Sequence, residues 1–182
     1  SNVTQYAIEC WDKGGIVTFC WHWNVPEKYL TGIWWNGFRT EATNIDLEAI
    51  MNGEDPEGYD LLMSDIDVIA EELKVLQDAG VPVLWRPLHE ASGGWFWWGA
   101  SGSEAYKKLY IAMYDRLTNV HGLNNLIWLW NCQDADWYPG DKYVDIIGED
   151  IYPGEQVYTS QMDRYMKAIE YTDAKKMIVL SE

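Results

Sequence analysis

Between positions 85 and 99 the chain reads Trp85-Arg86-Pro87-Leu88-His89-Glu90-Ala91-Ser92-Gly93-Gly94-Trp95-Phe96-Trp97-Trp98-Gly99, which places a carboxylate, an imidazole and a guanidinium beside four indoles. A carboxyl group can donate a proton or attack an electron-poor carbon, and an indole face stacks on flat apolar ligand surfaces. Glycoside hydrolysis needs this combination. One acid protonates the leaving oxygen, and a second carboxylate attacks or activates water. Rival chemistries find little support. Gly93-Gly94 runs into tryptophans instead of a Lys-Ser pair, so it does not cradle phosphate. Ser181 lacks the flanking glycines of a nucleophile elbow. His22, His89 and His121 are far apart and form no HExxH pattern, so no metal centre is expected.

The elements that must hold these groups follow from periodicity. Short branched apolar runs at 16–21, 81–85, 125–130, 144–148 and 177–180 read as buried strands. Helices are predicted over 4–13, about 59–79, 103–120 with Ser103 as cap, and about 159–171. In the second helix Leu62, Ile66, Ile69, Leu73 and Leu76 form a stripe at steps of three and four. Strands alternating with helices predict right-handed βαβ crossovers and a parallel sheet. Polar residues then fall after each strand: His22 and Asn24, Arg86 with His89 and Glu90, Asn131 and Gln133, Asp150 and Tyr152, and Glu182. Parallel strands point the same way, so these side chains gather on one carboxyl-terminal rim.

With 182 residues the chain is long enough for one domain, expected to span 1–182, yet short for a (β/α)8 barrel of typically about 250. Thirteen basic against twenty-nine acidic residues give a net charge of −16, which disfavours nucleic acid and anionic membranes as partners. Twelve Trp and twelve Tyr against three Phe suit a wet binding groove, although about half of them should pack in the core. Cys10, Cys20 and Cys132 have neither zinc nor disulfide spacing and are expected to be buried thiols. The amino terminus has no signal-peptide pattern, which leaves secretion open.

The stretch from Arg86 to Gly99 resembles the acid/base motif of family 26 of the glycoside hydrolases, the β-mannanases of clan A. Gly14 to Asn24, Asp145 to Tyr152 and Leu180-Ser181-Glu182 resemble further stretches of that family in the same order, so the likeness spans nearly the whole chain. It implies a (β/α)8 TIM barrel of which this chain covers about strands 3 to 7. It further implies a retaining endo-β-1,4-mannanase with Glu90 as acid/base and Glu182 as nucleophile, needing no cofactor.

In the same likeness His89 and Trp95 line the cleavage point, His22 contacts sugar on the non-reducing side, and Tyr152 orients the nucleophile. Arg86 keeps Glu182 ionised, with Asp150 tuning that network. Blander roles stay open: an ordinary Arg86–Asp150 ion pair, a core imidazole for His22, a wall residue in Tyr152. Trp97 and Trp98 are expected to pack, while Trp34 and Trp35 suit either packing or substrate contact. Action on mixed-linkage β-glucan or xylan, or carbohydrate binding without catalysis, are the alternative functions. An extracellular location and attached carbohydrate-binding or dockerin modules are further implications of the likeness.

Overall fold

The computed structural model describes residues 2–172 and 175–182. Five strands, β1 (Val17–Cys20), β2 (Val83–Arg86), β3 (Leu126–Trp130), β4 (Ile146–Glu149) and β5 (Met177–Leu180), form one parallel sheet in chain order. Cys20 pairs with Arg86, and Glu149 pairs with Leu180. That register brings the polar residues after each strand level with one another at a single end of the sheet. All five strands fall where the alternation of apolar runs predicts them.

Helices cover the sheet: α1 (Asn2–Asp12), α2 (Leu47–Met51), α3 (Pro56–Asp78), α4 (Trp97–Ala100), α5 (Ser103–Asp115) and α6 (Met162–Ile169). α3 starts earlier than its apolar stripe suggests. Asp55 caps it by accepting from the Gly58 amide at 2.9 Å, and Pro56 stands in the first turn, where its missing N–H costs nothing. Ser103 is not the cap of α5: Gly102 holds that position without any side-chain bond, and Ser103 is already helical. The end of the predicted 103–120 helix is a π turn, Arg116–Val120. There the Arg116 guanidinium grips both oxygens of Asp67 on α3 at 2.7 Å, and His121 reaches the same carboxylate at 2.6 Å.

The core lies between sheet and helices. Leu62, Ile66, Leu73 and Leu76 of α3 are fully or nearly fully buried, as are Tyr106, Leu109, Tyr110 and Met113 of α5. Trp97 and Trp98 have no exposed surface, so both are packing residues. Their indole N–H groups are nevertheless satisfied, Trp97 donating to the Trp23 carbonyl at 2.7 Å and Trp98 to the His89 carbonyl at 2.9 Å. Burial of large aromatics therefore also orients the backbone of the segment that carries the chemistry.

The thiol expectation needs correction. Cys132 is buried, but Cys10 and Cys20 are exposed. Cys20 ends β1, which pairs only with β2 among the described residues, and the open side of an edge strand leaves its side chains uncovered. Cys10 sits on α1, which buries only Thr4 and Ala7. No helix among the described residues is long and apolar enough to cross a membrane.

Candidate active site

Backbone geometry sets up the central acid. Leu88 and Glu90 both adopt left-handed φ, 51° and 53°, on either side of His89. For non-glycine residues such conformations cost about 1–3 kcal/mol each and persist only where surroundings impose them. Here the surroundings are explicit. The Glu90 amide donates to the Asn131 carbonyl at 2.7 Å, the buried Trp98 indole holds the His89 carbonyl, and a 3-10 turn over Ala91–Gly93 follows immediately. The reversal lifts Glu90 out of the strand direction and over the end of β3.

Glu90, Asp150 and Glu182 converge, with one carboxylate oxygen from each lying within 4.8 Å of the others. The environments of Glu90 and Glu182 push their acidities apart. Burial raises Glu90 above the ordinary carboxyl range, contact with Asp150 adds to the rise, and an indole N–H from Trp95 at 3.1 Å only partly offsets it. Glu182 moves the other way. Hydrogen bonding from the Tyr152 hydroxyl and then from Arg86 lowers it, overcoming a smaller opposing effect of burial. A carboxyl biased toward keeping its proton therefore faces one biased toward ionisation. Oxygens within 4.8 Å suit direct attack on carbon, since inverting pairs need roughly 6.5–9.5 Å for an intervening water.

Arg86 binds the site together. Its Nη2 donates to Glu182 at 2.9 Å, and its Nη1 lies 3.4 Å from Asp150 and 3.2 Å from the Asn131 side-chain oxygen. Arg86 thus pairs with buried Asp150 and also reaches Glu182. The Asn131 amide donates to the Gly148 carbonyl at 3.0 Å and to the Ser181 hydroxyl at 3.2 Å, and that hydroxyl donates to Asp150 at 2.6 Å. The ring Arg86–Asn131–Ser181–Asp150 thus links the ends of β2, β3, β4 and β5. Three clustered carboxylates could also attract a cation, but Arg86 already supplies positive charge to two of them.

The imidazoles lie beside this ring. His89 is 3% exposed, and burial followed by repulsion from Arg86 lowers it to about 3, so it stays neutral. His22 packs against it with ring centroids 4.7 Å apart and also meets Phe38 and Phe96. Burial lowers His22 as well, and Arg86 adds to that effect. Trp95 is half exposed, and its ring lies where a Cβ on Gly93 would come within 2.0 Å, so only glycine at 93 permits that position. The long β1–β2 loop backs this wall, with the Thr40 amide donating to the Trp95 carbonyl at 2.9 Å. Trp34 and Trp35, 71% and 60% exposed, stand on a 3-10 turn of that loop.

Several features of the site escaped the sequence reading. Asn131 and Ser181 were visible at strand ends, but nothing in their spacing shows that they bond each other. Glu149, 5% exposed at the end of β4, is pushed by burial up to about 7, with Asp150 adding to the rise and Lys167 and Arg164 opposing it. Arg164 of α6 lines the pocket beside Glu90. A charge within an otherwise exposed helix carries no signal of that kind.

Comparison with known proteins agrees with this geometry. The profile described as glycosyl hydrolase family 26 matches residues 1–182. A mannan endo-1,4-beta-mannosidase of Thermothelomyces thermophilus is 51% identical over 181 residues, covering 98% of this chain and 37% of that relative. The crystal structure of the Podospora anserina GH26-CBM35 beta-(1,4)-mannanase superposes with a TM-score of 0.93 at 48% identity, covering 100% of this chain and 41% of the other. A beta-mannanase from a symbiotic protist of the termite Reticulitermes speratus, complexed with gluco-manno-oligosaccharide, gives a TM-score of 0.90 at 39% identity, covering 98% and 56%. The chain therefore spans well under two thirds of these proteins, and its five parallel strands are one contiguous arc of a (β/α)8 barrel. Sequence and structure together show that the chain belongs to glycosyl hydrolase family 26.

Proposed function

We propose that this chain carries the catalytic centre of a retaining endo-β-1,4-mannanase that cleaves internal bonds of mannan, glucomannan or galactomannan, and that residues 1–182 are one part of a longer barrel domain. The observation that carries the reading is the convergence of Glu90 and Glu182 with opposite shifts in acidity. Protonated Glu90 donates to the glycosidic oxygen while the Glu182 carboxylate attacks the anomeric carbon, breaking the bond to the leaving sugar and forming a glycosyl ester. Glu90, now ionised, takes a proton from water as that water attacks the same carbon and releases Glu182. No cofactor enters either step.

Around this pair Arg86 and Tyr152 keep Glu182 ionised and aimed, and Asp150 holds Arg86 while raising Glu90. His89 and Trp95 line the cleavage point, and His22 meets sugar on the non-reducing side. Trp34 and Trp35 give exposed stacking faces farther along the polymer. The relatives named mannan endo-1,4-beta-mannosidase and beta-mannanase support the choice of substrate. An extracellular enzyme with additional carbohydrate-binding modules fits the same reading, as the Podospora protein carries GH26 and CBM35 in its name.

The test is hydrolysis of mannan by the full-length polypeptide and by its Glu90→Ala and Glu182→Ala variants. Both variants should fold and lose hydrolysis almost completely. Normal turnover by either one removes the assignment, and faster cleavage of barley glucan or xylan than of mannan moves it to another polysaccharide.

A further inference from the structure

One pocket beside the converging acids has a polar inventory that the two chemical steps leave unused. It has a volume of about 370 Å³ and is bordered by Glu90 and Asp150, by the rings of Trp95 and Tyr152, and by Gln133 and Arg164. Glu182 and His22 do not border it. The pocket therefore opens on the side of the proton donor, away from the imidazole that meets the non-reducing sugar. Its size lies in the lower part of the range for small-ligand sites, about 300–1,000 Å³.

Most polar groups around it are already committed. The Ser92 hydroxyl donates to the Cys132 carbonyl, the Trp95 indole to Glu90 at 3.1 Å, and the Gln133 amide to the Asp150 carbonyl at 3.1 Å. Two resources remain. The Gln133 side-chain oxygen can accept, and the Arg164 guanidinium, exposed on α6, makes no hydrogen bond or ion pair among the described residues. Gln133 is moreover held at a left-handed φ of 65°, and its bond to the Asp150 carbonyl keeps its side chain beside that residue. An anionic ligand would face the carboxylates of Glu90 and Asp150, so the chemistry that fits is a neutral ring with several hydroxyls. Aromatic walls stack on its C–H face, while a forked donor and one acceptor meet its edge.

We propose that Arg164 and Gln133 bind the sugar on the leaving-group side of the cleaved bond, with Arg164 setting how strongly that sugar is held. The inference rests on the mannanase reading and deepens it by naming what receives the departing half of the chain. Arg164 comes from a helix outside the catalytic ring, so it acts on recognition and not on the bond-breaking groups.

The experiment compares kcat/KM of the full-length protein on two substrates. One is a β-1,4-linked manno-oligosaccharide. The other is an aryl glycoside with the same non-reducing part and no sugar as leaving group. Arg164→Ala should lower the oligosaccharide value by about tenfold or more, the size of one lost hydrogen bond to a charged group, and leave the aryl glycoside nearly unchanged. Arg164→Lys, which keeps the charge but not the fork, should lose less. An unchanged ratio between the substrates in Arg164→Ala, or equal losses on both, overturns the proposal. A wild-type protein that cleaves neither substrate overturns the mannanase reading itself and this inference with it.

Discussion

Replacing Glu149 with glutamine keeps the shape of a buried side chain while removing its capacity to ionise. Glu149 is 5% exposed, and its Oε1 has no hydrogen-bond partner among the described residues. Burial and the neighbouring Asp150 raise its carboxyl from 4.5 to about 7, against weaker opposition from Lys167 and Arg164. The folded state thus holds this proton more tightly than the unfolded chain does. The favourable contribution is complete below the unfolded value of 4.5 and disappears as pH rises through about 7. At about 1.4 kcal/mol per unit, the full loss is on the order of 3 kcal/mol.

Urea unfolding of the full-length wild type and of Glu149→Gln, at intervals from pH 4 to pH 8, reads this group because titrations not coupled to it cancel in the difference. The variant should gain on the wild type progressively above pH 4.5, by up to about 3 kcal/mol at pH 8. A stability difference that stays constant across that range would refute the reasoning, because Glu149 would then ionise alike in both states.

Three other perturbations act directly on the site. Tyr152→Phe removes the leading cause of the lowered pKa of Glu182, so the acid limb of the kcat/KM profile should move to higher pH; an unmoved limb would show that the phenol does not act on Glu182. Gly93→Ala places a Cβ on the Trp95 ring, and expelling that ring also removes its bond to Glu90. Activity on mannan should fall about tenfold or more with little change in the melting temperature, and full activity would mean that Trp95 is dispensable. Ser181→Ala deprives buried Asp150 and the Asn131 amide of a shared partner and should cost about 1–3 kcal/mol in chemical denaturation, whereas no measurable loss would show that the ring is not structural.

Element type and order were legible in the sequence because they are written locally. The apolar runs at 126–130 and 177–180 have strand length, the stripe from Leu62 to Leu76 has helical period, and both survive folding because core burial reinforces them. The rim followed from one inference, that parallel strands share a direction. Glu90 stood out because a carboxylate within an indole-rich segment is a poor core residue, whereas Glu182 was marked by its place after the last strand and by the family likeness. Boundaries set by single contacts were not legible. Ser103 has good capping chemistry yet lies inside α5, and Cys20 is apolar enough for a core yet ends an edge strand.

What only the tertiary structure decided are quantities that depend on register and distance between residues remote in sequence. Asn131 meets Ser181 across 50 positions, and Ser181 meets Asp150 across 31. Neither meeting has a local signature, since the alignment of each strand against its neighbour is set by packing of the whole sheet. The raised pKa of Glu149 and the place of Arg164 beside the pocket have the same origin. Composition names the groups that can ionise or donate, but the loss of water around them, and hence what each one does, is settled by side chains that arrive from elsewhere in the fold.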